Sequence, residues 1–143
     1  MSKKNRSDGE PKAGERKAPP PPIANAWLAS ALAWLVPGAG HFFLGRRVRA
    51  VIFLVLVLLA LAIGCHLEGK LSWVFSGSLL ATLGTLGCMG SGAPYFVLRF
   101  GLGYEGNYQA AGYEYGSAFL LTAGLMNLLL VLDAWDIARG LKE

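Results

Sequence analysis

Four apolar segments dominate the chain from residue 23 onward, each bounded by glycine, proline or charge. The first, "IANAWLASALAWLVPGAGHFFLG" (23–45), runs for 14 residues before Pro37 and then meets Gly38, Gly40, His41 and Gly45. The second, "AVIFLVLVLLALAIGCHL" (50–67), and the third, "LSWVFSGSLLATLGTLGCM" (71–89), carry no Asp, Glu, Lys or Arg. The fourth, "GSAFLLTAGLMNLLLVL" (116–132), is equally free of charge and ends at Asp133. A helix needs about 20 predominantly apolar residues to cross a bilayer. The pattern therefore predicts an all-α, polytopic membrane protein with four transmembrane helices, at about 23–44, 50–67, 71–89 and 116–133, the first broken at Pro37-Gly38. A three-span alternative follows if the first segment only dips into the bilayer, because 14 residues before the proline are too few to cross it.

Residues 1–22, "MSKKNRSDGEPKAGERKAPPPP", lack large apolar residues after Met1, so they are expected to form a disordered basic tail ending in a stiff proline spacer. A secretory signal is a poorer account, since a long proline-rich lead precedes the apolar core and no A-x-A-like site follows it. Between the third and fourth segments, residues 90–115 form a Tyr/Gly-rich loop. Tyrosine favours the headgroup region of a bilayer, so an interfacial cap is expected here, with Arg99 reaching towards phosphates.

Composition agrees with this placement. Hydrophobic residues make up 54% of the 143, and charged residues only 15%, against about 25% in soluble proteins. Six basic residues lie in the first 17 positions and three more, Arg46, Arg47 and Arg49, stand where the second segment begins. With four spans the terminal side collects most of the basic residues, which puts both termini in the cytoplasm. The arginine triplet then falls on the wrong side, an objection that the three-span alternative removes. Cys65 and Cys88 form no CxxC pair and read as small apolar fillers.

Pro37 disrupts the helix one turn back, and Gly38, Gly40 and Gly45 permit bends or close backbone approach. In lipid the freed carbonyls need partners inside the protein, and His41 is placed to be one. Arg46, Arg47 and Arg49 suit anionic headgroups. Gly77/Ala81, Ser78/Thr82, Gly84/Cys88 and Gly87/Ser91 put small residues four apart, a spacing that lets a second helix pack closely, within the fold or on a partner. Asn127 is expected to hydrogen-bond across a helix interface. Asp133, Asp136 and Arg139 are expected to form an ion cluster at the membrane exit, with Asp136 and Arg139 on one helix face. No Ser/His/Asp, Cys/His or HExxH arrangement is present, no metal or cofactor set is indicated, and the basic residues lack the aromatic platforms of a nucleic-acid surface.

"AWLVPGAGHFFLGRRVRA" resembles the helix–PGxGxxYLGR–helix signature of the two-transmembrane-helix domain, with Phe43 at the usual tyrosine. Taken with "TAGLMNLLLVLDAWDIA", the chain is similar to the uncharacterised bacterial membrane proteins grouped as domain-of-unknown-function family 6677. That resemblance implies a protein of the bacterial inner membrane and no established enzyme activity. The expected function is a non-enzymatic membrane protein, an accessory or scaffold subunit packing with lipids and with other membrane proteins or further copies of itself. The alternative is a small transporter or lipid-handling protein that uses His41, Asn127 and Asp133.

Overall fold

A computed structural model describes residues 23–75 and 77–141; the basic, proline-rich tail expected at 1–22 lies outside the described residues. All regular structure among the described residues is helical: α1 (Ile23–Leu35), α2 (Ala39–Phe43), α3 (Arg47–His66), α4 (Leu79–Met89), α5 (Ala93–Phe96) running into a π-helical turn (Val97–Gly101), and α6 (Tyr113–Ala138).

Two helices, α3 with 20 residues and α6 with 26, are long and apolar enough to cross a membrane. They run antiparallel. Gly64 near the end of α3 lies against Gly116 at the start of α6, while Phe53 near the start of α3 reaches His41, itself bonded to Asp133 near the end of α6. Both ends of the pair are thereby defined: an arginine end with Arg47 and Ala138, and a tyrosine end with His66 and Tyr113. Contact is close because Gly64 and Gly116 lack side chains; a Cβ on Gly64 would meet the Leu120 side chain, and one on Gly116 the backbone of Gly69.

The expected first span is instead a hairpin. α1 starts at the arginine end, where Ala26, Ala29 and Ala138 pack together and Trp27 meets Trp135 edge to face at 4.9 Å. It stops about halfway along α6, where Trp34 faces Asn127. Pro37 follows its end, Gly38 turns the chain with φ 83°, and α2 returns towards the arginine end. Only glycine fits at Gly38, because a Cβ would fall on the Ala50 carbonyl oxygen.

The expected third span, 71–89, is also absent as such. Only its second half is helical, the 11 residues of α4. Residues 70–75 are non-helical and lie against α4, where Thr85 Oγ1 accepts from the Val74 N–H and donates to the Val74 carbonyl, both at 3.0 Å, and Ser117 Oγ accepts from the Lys70 N–H. Satisfied in this way, the backbone has no need to complete a helix. Ser78 then caps α4 by accepting from the Ala81 N–H. α4 runs parallel to α6 from the tyrosine end, and α5 with the π-helical turn leads back there, where the Tyr104 hydroxyl donates to the carbonyls of Cys65 and Gly69. The fold is thus one long helix pair with two half-depth helical hairpins inserted from opposite ends, and two candidate spans stand in place of four.

Candidate functional site

The two hairpins meet at the middle of α6. Asn127 is fully buried there, and its Nδ2 donates to the Trp34 carbonyl at 3.1 Å and to the Gly90 carbonyl at 2.9 Å. Trp34 lies in the last turn of α1 and Gly90 is the C-cap of α4. One side-chain amide therefore satisfies carbonyls at two helix C-termini that would otherwise lack intrahelical donors. Gly92, with φ 70°, closes the junction, because a Cβ there would collide with the Trp34 carbonyl. Trp34 also meets Phe96 edge to face. Asn127 thus bonds across helix interfaces as expected. It also takes the role assigned to His41, since it is the partner of a carbonyl at the broken end of α1.

His41 points elsewhere. It is fully buried, its Nε2–H donates to Asp133 Oδ2 at 3.0 Å, and its ring meets Phe53 edge to face at 5.2 Å. Nδ1 is buried with no hydrogen-bond partner among the described residues. Asp133 is turned inward to this imidazole, its side chain 28% exposed, an attachment that the expected cluster with Asp136 and Arg139 did not include. The Arg139 guanidinium lies over the Trp135 ring, 5.9 Å from its centroid. Replacing His41 with Ala should leave a cavity beside Phe53 and remove a buried partner of Asp133, a loss of about 2–4 kcal/mol. Asp133→Asn keeps an acceptor for Nε2–H and should melt within a few degrees of wild type. Thermal melts in mild detergent check both.

The small-residue stripe is displaced from its expected place. Gly77 and Gly84 have open space where a Cβ would be, and Ala81 is half-buried. The tight α4–α6 crossing uses Gly87, Gly90 and Gly124: a Cβ on Gly124 would fall on the Gly87 carbonyl oxygen. Of the sequence pairs, Gly84/Cys88 and Gly87/Ser91 contribute the buried Cys88 and Ser91. Gly124 on α6 gives no comparable signal in the sequence, because it sits singly in a leucine-rich run. The signal for Thr85 is weak but present: a hydroxyl in a charge-free helix flanked by Ser and Gly.

In the tyrosine loop, Arg99 is committed locally to Glu105, at 2.8 Å, and does not extend towards solvent as a free cation. Tyr95 is fully buried and donates to the Ser72 carbonyl at 2.7 Å, so it is a core residue and not part of an interfacial cap. Burial pushes the pKa of the Tyr104 hydroxyl up to about 12, which keeps it a donor to its two carbonyls at any physiological pH. Tyr108 and Tyr115 are exposed, as a cap requires. At the arginine end, Arg46 precedes α3 and Arg47 and Arg49 lie in its first turn, with the Arg47 guanidinium 5.8 Å from the Phe42 ring centroid.

No group of three or more His, Cys, Asp or Glu that could hold a metal ion occurs among the described residues. Two apolar grooves are open on the surface. One, of about 440 Å³, lies between the first hairpin and α3; the other, of about 650 Å³, lies between α4 and α6.

These features define an all-helical protein with two long apolar helices braced by two half-depth hairpins. The chain belongs to a family of unknown function, DUF6677, whose family model matches residues 28–143. Neither the curated proteins nor the solved structures contain a match to it.

Proposed function

We propose that the protein is a non-enzymatic, multi-pass protein of the bacterial inner membrane that docks a helix of another membrane protein, or of a second copy, as an accessory subunit. Residence in a bilayer is supported by what α3 and α6 show outward: Val51, Val55, Leu59, Leu125, Leu129 and Leu132 are all exposed. At about 1.5 Å per residue, the 20 residues of α3 extend ~30 Å, the thickness of a hydrocarbon core. Half-depth hairpins are tolerated at such depth only where the protein or a water-filled cavity satisfies their backbone, and Thr85 and Asn127 supply hydrogen-bond partners of that kind.

The same fold supports an orientation. Because α1 and α2 form a hairpin, the start of α1, Arg46, Arg47, Arg49 and Arg139 all belong to the arginine end, whereas Lys70 and Arg99 belong to the tyrosine end. The excess of basic residues supports a cytoplasmic arginine end, and in this arrangement the arginine triplet raises no conflict.

The observation that carries the docking role is the α4–α6 groove. Leu80, Leu83, Leu121 and Leu125 form its rims, and Gly84 and Gly87 lie between them. Small residues at the base of an apolar groove allow a helix backbone to approach closely, which is how helices associate in lipid. Since a Cβ on Gly84 meets nothing within 4 Å, Gly84→Leu should fill the groove without disturbing the fold. Affinity isolation of the tagged wild-type protein from membranes should yield a stoichiometric partner or an oligomer, and Gly84→Leu should lose it while melting like wild type. A wild-type chain that always runs as a monomer would sink this reading.

A second reading, a small transporter, is favoured by the buried His41–Asp133 pair and by half-helices that meet at mid-depth, an arrangement found around transport sites. Asn127, however, faces the two helix ends and not that pair. Flux abolished by His41→Gln with the fold intact would favour transport over docking.

A further inference from the structure

We propose that the groove between the first hairpin and α3 is a binding site for one anionic phospholipid, its acyl chain lying in the groove and its phosphate on Arg47, with Arg46 and Arg49 adding positive charge at the same end of the helix. The proposal rests on the membrane reading above and adds a specific ligand to it.

Three observations converge. The groove is nearly all apolar, and its volume of about 440 Å³ falls within the roughly 300–1,000 Å³ of small-molecule sites. Its walls come from Val36, Phe42 and Phe43 on the hairpin and from Val51 and Leu54 on α3, and they part over a floor where Gly38 rests on the Ala50 carbonyl. Chain-like apolar space of this kind suits a hydrocarbon tail, and nothing polar in it would recognise a different ligand.

The second observation is charge at one end of the groove. Arg47 stacks on Phe42, a wall residue, and shares a shallow adjoining depression with Val51, another wall residue. Arg46, the N-cap residue, and Arg49, about 200° round the helix from Arg47, add positive charge at the same end of α3. Neither of the ion pairs described above, His41–Asp133 and Arg99–Glu105, draws on any of the three arginines. The first turn of α3 contains no acidic residue that would repel a phosphate.

Depth is the third. α3 is as long as the hydrocarbon core is thick, so its first turn falls at headgroup level while Val51 and Leu54 lie among the acyl chains. A phosphate and its own tail are spaced along the bilayer normal in the same way. A zwitterionic lipid would meet the arginines with a choline or ethanolamine cation as well as a phosphate, which weakens the attraction. Selectivity for a net negative headgroup follows.

The test uses the full chain in vesicles containing equal amounts of phosphatidylglycerol and phosphatidylcholine with identical acyl chains, followed by native mass spectrometry of the gently extracted protein. The wild-type chain should carry one retained lipid, with phosphatidylglycerol favoured about tenfold or more. Arg46→Gln/Arg47→Gln/Arg49→Gln should bring that preference close to one, and Val51→Trp, which fills the groove, should remove the retained lipid. Equal retention of the two lipids by the wild-type chain overturns the proposal without involving any variant. Full retention by Val51→Trp overturns it too, because charge alone would then hold the lipid outside the groove. A dimer with no bound lipid also overturns it and assigns the groove to a second copy instead. Carbonate extraction of membranes is run in parallel: a chain that stays in the pellet yet shows no lipid preference sinks the lipid site alone, whereas a chain released to the supernatant sinks the membrane reading with it.

Discussion

Gly124→Val is expected to produce a large loss of stability. A Cβ at this position falls on the carbonyl oxygen of Gly87, and the Cys88 carbonyl oxygen is only 3.1 Å away, so two backbone atoms of α4 stand where the side chain must go. Backbone cannot rotate aside as a flexible side chain can, so α4 must withdraw from α6. That withdrawal pulls Gly90 from Asn127 and opens the packing of Cys88 and Ala123 in the core. Overpacking typically costs about 1–3 kcal/mol and occasionally more; here we expect the upper end or beyond. Melting followed by size-exclusion chromatography in mild detergent should show a large drop in Tm, while Gly84→Val, at open space on α4, should leave Tm unchanged. Equal melting of the two variants would mean that the α4–α6 crossing is not close.

Asn127→Leu should follow closely in size. The substitution preserves volume roughly but removes the side-chain donor to the carbonyls of Trp34 and Gly90. A buried carbonyl left unpaired costs about 1–3 kcal/mol in water-soluble proteins, although interhelical hydrogen bonds in membranes average nearer ~0.6 kcal/mol. Asn127 Oδ1 has no partner among the described residues, so its removal returns part of the loss. Together these set an expected destabilisation of about 1–4 kcal/mol. The more specific expectation is structural: both hairpin tips should loosen together, since one amide holds both. Hydrogen exchange of the purified protein should show faster exchange at residues 34–40 and 88–93 in Asn127→Leu, with α3 unchanged. Faster exchange at one tip alone would show that the other is held by different contacts.

The two long helices are legible in the sequence almost to their ends. The apolar runs 50–67 and 116–133 correspond to α3 and α6, but both helices extend beyond them, α3 back to Arg47 and α6 from Tyr113 to Ala138. The flank before residue 50 is Arg47, Val48 and Arg49, whose charges hide a helical turn from any reading based on hydropathy. Asp133 and Asp136 do the same at the far end of α6. The break at Pro37-Gly38 is legible as well, because proline and glycine act on the local backbone whatever surrounds them.

The ion cluster and the small-residue stripe are less legible. Asp133 reads as an aqueous-edge residue because it ends a charge-free run and Asp136 and Arg139 follow it, yet its partner His41 lies 92 residues away. Gly77 and Gly84 match the small-residue spacing as well as Gly87 does. Only the direction of α4 across α6 decides which of them touch.

By itself the sequence determined an all-helical chain, four apolar segments of which 50–67 and 116–133 are candidate spans in the fold, a break after α1 and a cluster of cations at the start of α3. Each of these depends on residue type and local spacing. Tertiary structure alone decided that 23–44 forms a hairpin and that 71–89 is a non-helical segment followed by a half-depth helix, neither of them a single continuous helix. Hydropathy measures how readily a segment leaves water, not where its backbone groups find partners. Those partners are Thr85 for Val74, 11 residues away across a turn, and Asn127 for Trp34 and Gly90, 93 and 37 residues away along the chain.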